Sequence, residues 1–205
     1  MKRIRANSEF VRSKGRHRGP SRDADNRGST LIEAAVVFPV IILVIMGTIE
    51  IGLAFKDFLT VGALSREGAR VAALAGRDSE ADCAVLIGLG TLATPSDLDK
   101  IDDVQIYRAA EGTGTQGVTN TWVHNPGEDP SQCNLPAQLN DGWSMVGATN
   151  YPPGSRNTTV GSTPLDIIGV RVTMTRSWVT GFPPFRGSFT LDETTITRVE
   201  PEAFE

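Results

Sequence analysis

The side chains able to do chemistry in this chain are few and far apart. His17 and His124 are the only histidines, and Cys83 and Cys133 the only cysteines. A long apolar run separates the two histidines, so they are not expected to share a proton or a metal ion. No zinc-ligand spacing, P-loop, G-x-G-x-x-G or nucleophile elbow occurs. The reading is a non-enzyme with no catalytic residue, no metal and no cofactor. Asp97, Asp99, Asp102 and Asp103 form an acidic cluster of a kind that can bind calcium. The glycine and terminal glutamate of an EF-hand loop are missing, however, so a solvated acidic turn is expected. Two further carboxylates, Glu33 and Glu50, stand near the two ends of the apolar run, where a charge costs less than at mid-bilayer.

The element that positions those carboxylates is Leu31–Phe55, LIEAAVVFPVIILVIMGTIEIGLAF. Ala34–Ile49 carries no charge. A bilayer core takes roughly 20 apolar residues of helix, and this run with its flanks reaches that. A soluble helix apolar on every face would need more surrounding protein than a chain this size supplies. No A-x-A cleavage site follows closely enough to make the run a secretory signal. Pro39 lies inside it and should kink or loosen the helix. The net charge of -4 conceals an asymmetry. Residues 1–27 hold nine Lys or Arg against three acids, and the remainder is correspondingly acidic. Lys and Arg beside a membrane span mark the cytoplasmic side, so the basic arm is read as an orienting leader with no nucleic-acid partner.

Three segments follow: a basic leader at 1–28 without ordered structure, a helix at 29–76, and an extracytoplasmic domain at 77–205. Beyond the apolar run, Phe55, Phe58, Gly62, Ser65, Ala69, Ala72 and Gly76 recur at spacings of three and four, one seam of a continuing helix. Its small residues allow close approach to another helix or to a sheet. The alternative is two helices with a break near Lys56 and Asp57. A second helix is expected within 78–92. Strands are expected at 103–109, 118–123, 143–148, 167–177 and 188–199, the clearest being the fourth, where Ile168, Val170, Val172 and Met174 alternate with polar residues or glycine. The last two should pair as antiparallel neighbours. The fold class is therefore α+β: a long N-terminal transmembrane helix extending into a small antiparallel sheet domain. Trp122, Trp143 and Trp178 are read as core or rim residues. Cys83 and Cys133 fall on the outer, oxidising side. A bridge between them would close a loop of about 50 residues, worth about 4 kcal/mol in the chain-entropy model; two free thiols are the alternative.

Gly28-Ser29-Thr30-Leu31-Ile32-Glu33 resembles a type IV prepilin processing site: a basic leader, a glycine, then an apolar helix with glutamate at the fifth mature position. The longer span resembles the TadE-like family of minor pseudopilins from tight-adherence (Flp) pilus systems. The matching residues are Glu33, Pro39, Glu50 and the run Ser65-Arg66-Glu67-Gly68-Ala69-Arg70; the tail from Val170 to Pro201 resembles the closing strands of such proteins. The resemblance implies cleavage between Gly28 and Ser29 by a prepilin peptidase. It also implies that Glu33 pairs with the new α-ammonium of a neighbouring subunit, each charge being costly alone in an apolar setting. The partners implied are the membrane, the peptidase, other pilins or pseudopilins and the pilus assembly platform. The implied location is the inner membrane, with the N-terminus cytoplasmic. This sequence has Ser29 and Ala34 where the family often has aromatics. The second reading is an uncleaved membrane-anchored assembly factor or extracytoplasmic binding domain.

Overall fold

The computed structural model describes residues 23–133, 141–161, 163–181 and 183–201. Most of the basic leader, residues 1–22, lies outside them. By its internal contacts the chain divides into two units, Met1–Ile45 and Met46–Glu205.

Helix α1 runs from Asp23 to Ala75 without interruption, through Pro39 and through Lys56 and Asp57. One expectation is corrected, and the continuous helix rather than the broken one is what is observed. The helix starts six residues before Ser29, so 23–28 is not irregular; Asp is a favoured residue type at a helix start. There is also no break between a membrane helix and a soluble one. Gly76 ends α1 with φ +54°, its N–H returning to the carbonyl of Ala72, the left-handed glycine that commonly stops a helix.

In the first unit the apolar side chains face outward all round. Leu31, Ile32, Val36, Phe38 and Val40 are each at least 60% exposed. Only 6% of the most apolar window of α1 is buried. A core helix of a soluble protein would be mostly buried, so this surface requires a cover from outside the chain. The architecture, one exposed apolar helix followed by a sheet domain, fits a single-pass membrane protein.

The second unit places the C-terminal part of α1 and helix α2 (Ala81–Leu92) against a five-stranded sheet. A short helix α3 (Pro95–Leu98) leads into β1 (Ile101–Ala109), followed by β2 (Gln116–His124), β3 (Trp143–Val146), β4 (Ile167–Ser177) and β5 (Ser188–Arg198). All neighbours are antiparallel, in the order β3-β2-β1-β4-β5. The β4–β5 ladder is regular over its whole length, from Ile167↔Arg198 to Ser177↔Ser188. Alternation in β4 sends Ile168, Val170, Val172 and Met174 into the core, where they meet Val104 and Ile106 of β1, Val61 and Leu64 of α1, and Val85, Leu86 and Leu89 of α2. The small residues of the helical seam set the spacing. A Cβ on Gly68 would lie 2.9 Å from Val170 Cγ1 and 3.4 Å from Leu89 Cδ2. α1 can therefore sit this close to strand and helix only with hydrogen at that position. Trp122 and Trp143 are core residues, fully buried, whereas Trp178 packs at the rim.

The seam itself divides. From Gly62 to Gly76 its residues are buried in the chain's own domain, while Phe55 and Phe58 are 60% and 45% exposed. The buried stripe continues below Gly62 in a different phase, through Asp57, Glu50 and Gly47. Those positions succeed one another at spacings of three or four, or of seven, so they share the face that holds Val61 and Leu64.

Candidate assembly site

At the start of the apolar run the structure places Gly28, Ser29 and Glu33 on one exposed helical stretch. Glu33 lies four residues after Ser29, so Ser29, Glu33, Ile32 and Val36 share a side of α1. Its carboxylate is open to a partner outside the chain.

Glu50 is different. It stands near the end of the apolar run as expected, but its side chain is fully buried within the second unit. Its carboxylate accepts a hydrogen bond of 2.5 Å from the backbone N–H of Thr180 and lies 3.7 Å from Arg176 Nη2. Seven residues on, Asp57 is also buried. It accepts from Arg176 Nη1 at 2.6 Å and from Lys100 Nζ at 3.1 and 3.2 Å. Asp97 completes the cluster: Lys56 Nζ donates to it at 2.5 Å and Thr94 Oγ1 at 2.6 Å, with Lys100 Nζ 3.5 Å away. Three acids and three bases thus lock α1 to α3, to the start of β1 and to the end of β4. The net formal charge of the lock is zero, the condition under which buried ions are tolerable.

The solvated acidic turn expected over Asp97–Asp103 is corrected by this arrangement. Asp97 is 2% exposed and paired, Asp99 is exposed, and Asp102 accepts from Thr175 Oγ1 at 2.6 Å across to β4. The aspartates diverge because α3 and β1 put them on different faces. Burial pushes the Asp97 carboxyl up, but hydrogen bonds from Lys56 and Thr94 and the charges of both lysines outweigh it and hold it below the usual carboxylate range. A depressed folded-state value gives stability that is fully present above the unfolded pKa of about 3.9 and is lost as pH falls through the folded value. Asp97→Asn should therefore flatten the acid limb of stability against pH. Urea melts of both proteins between about pH 2 and 5 measure this; parallel acid limbs would remove Asp97 from the account.

The run Arg66-Glu67-Gly68-Ala69-Arg70 splits by phase. Gly68 and Ala69 face the core. Arg70 donates to both Glu67 oxygens, at 2.9 and 2.6 Å, on the open side, and Arg66 Nε donates back to the Gly62 carbonyl at 2.7 Å. Two small residues pack the helix down while the charged ones remain outside. Ser65 reaches Thr195 of β5 at 3.0 Å. Cys83 of α2 and Cys133 are joined by a disulfide with Cα atoms 5.3 Å apart. His124 stacks edge-on to Trp143 at 5.3 Å, and burial pushes its imidazole down, a structural placement.

A second buried polar network had no counterpart in the sequence reading. Arg156, fully buried, pairs with Asp82 of α2 and lies 4.9 Å over the ring of Tyr151. Asn120 of β2 donates to Asp82 at 2.8 Å and to the Tyr151 carbonyl at 2.8 Å, while its own carbonyl accepts from the N–H groups of Asn150 and Tyr151. Tyr151 then donates to Asp166 at 3.1 Å. This network gives the Pro-rich segment around 150–166 the polar partners that its irregular backbone cannot supply itself.

The chain matches no curated protein and no solved structure. A family model described as TadE-like protein matches residues 28–70. The matched stretch begins at the glycine before the apolar run, includes Glu33, Pro39 and Glu50, and ends at Arg70. Over that stretch, which holds the exposed apolar run, the chain is similar to the TadE-like family.

Proposed function

We propose that this protein is a non-enzymatic minor pseudopilin or assembly subunit of a tight-adherence pilus, held in the inner membrane until it joins or primes the fibre. The observation that carries this reading is the exposed apolar stretch of α1 that follows Gly28, with Glu33 near its start, inside the TadE-like match. A simple anchor needs apolar surface only across the bilayer. Here Ile51, Phe55, Phe58 and Leu59, beyond Glu50, are also 45–60% exposed. Apolar side chains left open above the span suit helix-to-helix packing with other subunits. In this reading the basic leader stays cytoplasmic, the prepilin peptidase cuts between Gly28 and Ser29, and Glu33 pairs with the α-ammonium of a neighbour.

The test is the N-terminus of the membrane-bound form with the cognate peptidase co-expressed. Intact mass and N-terminal sequencing should report a chain starting at Ser29. An N-terminus still intact under those conditions would favour the second reading, an uncleaved anchor bearing an outer domain.

A further inference from the structure

The loop between β4 and β5 has a composition that the sheet does not need. Trp178, Val179, Gly181, Pro183, Pro184 and Phe185 carry it, with Arg186 its one charged residue among those described. Val179 is 71% exposed. Trp178 packs on Phe185 at 5.0 Å and on Phe189 at 4.7 Å, forming a half-buried aromatic cluster.

Two contacts fix the level of this loop along α1. The ring of Phe185 lies against Gly47, where a Cβ would be 3.4 Å from Cε2. The N–H of Thr180 binds the Glu50 carboxylate. Gly47 lies in the last turn before Glu50, the acid that ends the charge-free stretch of the apolar run, and Leu31 to Ile49 spans roughly 28 Å of helix, close to the thickness of a bilayer core. With α1 read as a spanning helix, these contacts put the loop at the level where hydrocarbon would give way to headgroups. Trp favours that depth, with its ring inward and its N–H edge at the surface, Phe185 adds apolar contact beside it, and a neighbouring Arg suits phosphate groups. The acid at the same level, Glu50, is taken out of contact with lipid by Thr180 and Arg176.

We propose that the β4–β5 loop is a second membrane-contact element, seating Trp178, Val179 and Phe185 in the interfacial layer of the bilayer that α1 crosses. It rests on the reading of α1 as a spanning helix. The loop and the helix together would grip the lipid surface at two points and restrict rotation of the domain about α1. Release of the subunit from the membrane into an assembly would then have to strip the loop as well as the helix.

The experiment uses the full chain in phosphatidylcholine–phosphatidylglycerol vesicles whose acyl chains carry bromine either near the headgroup or deep in the core. Trp122 and Trp143 are sealed inside the domain, so quenching reports Trp178. Shallow bromine should quench more than deep bromine. Trp178→Phe should abolish the quenched component, and Val179→Glu should remove most of it without changing the near-UV circular dichroism. Equal emission in brominated and plain vesicles, with the chain still resistant to carbonate extraction, overturns the loop proposal and leaves the spanning helix intact. Equal emission together with a Val179→Cys crosslink between copies would assign the patch to a second copy instead. Extraction of the chain by carbonate would overturn the spanning helix and the loop proposal together.

Discussion

Arg156→Met should lower the stability of the sheet domain by about 3–5 kcal/mol, the cost of breaking a buried ion pair from one side. Asp82 is 1% exposed and would keep the Asn120 amide as its remaining side-chain partner. The lost guanidinium also leaves the Gly76 carbonyl at the end of α1, which it reaches at 3.4 Å, and the face of Tyr151. In a domain of this size each kcal/mol moves the melting midpoint by about 2–4 °C, so a fall of roughly 10 °C is expected for the full chain in detergent. The double variant Arg156→Met with Asp82→Asn should recover much of it, because the stranded charge is then gone. A single variant within about 1 kcal/mol of the parent, or a double variant worse than the single, would show that the pair is not what holds the segment.

The elements of this fold were legible where one physical rule governed. β4 is read from strict alternation, its bounds unchanged in the structure, because one face is core and the other solvent. The apolar run of α1 is read from length and lack of charge alone. The interior polar networks were not legible by the same means. Arg156 and Asp82 are 74 residues apart in the chain, and nothing in a Pro- and Gly-rich stretch marks one arginine for burial. Proximity there is made by topology: β2 runs beside β1, which puts Asn120 under α2.

The lock at Asp57 and Arg176 left a trace that went unused. In β4 the inward positions run Ile168, Val170, Val172, Met174, and the next is Arg176. In α1 the inward stripe that contains Val61, Leu64 and Gly68 extends back to Asp57 and Glu50. A charge sitting in the apolar phase of an element is either an error of phase or half of a buried pair. Here two elements carry opposite charges in that phase, so each is the other's explanation. The helical seam drawn through Phe55 and Phe58 instead followed the small and aromatic residues and missed the turn of phase. The structure separates the two sets: the acids face the domain, and the phenylalanines face outward, where the proposed partners would pack.

That division makes Arg176→Met the more informative of the two large effects. Arg176 is 4% exposed and faces both Asp57 and Glu50. Asp57 retains Lys100 at 3.1 Å, so the loss should fall at the lower end for a buried pair, about 3 kcal/mol. Its character should also differ from that of Arg156→Met. Glu50 would be left with its partners on the loop, the Val179 and Thr180 backbone and the Thr180 hydroxyl, and the cheapest response is local: the β4–β5 loop lifts from Gly47 and water reaches Glu50. Hydrogen exchange on the full chain should therefore accelerate first at the amides of Trp178–Arg186, with the β1–β4 ladder still protected. Arg156→Met should instead loosen the segment around Tyr151 and the end of α1. Adding Glu50→Gln to Arg176→Met should return protection to the loop, since a neutral amide can still accept from Thr180. If exchange rises evenly over the sheet in Arg176→Met, or if Glu50→Gln gives no recovery, then Glu50 is not the link between helix and loop. The loop would then be held by the Trp178–Phe185–Phe189 cluster on its own.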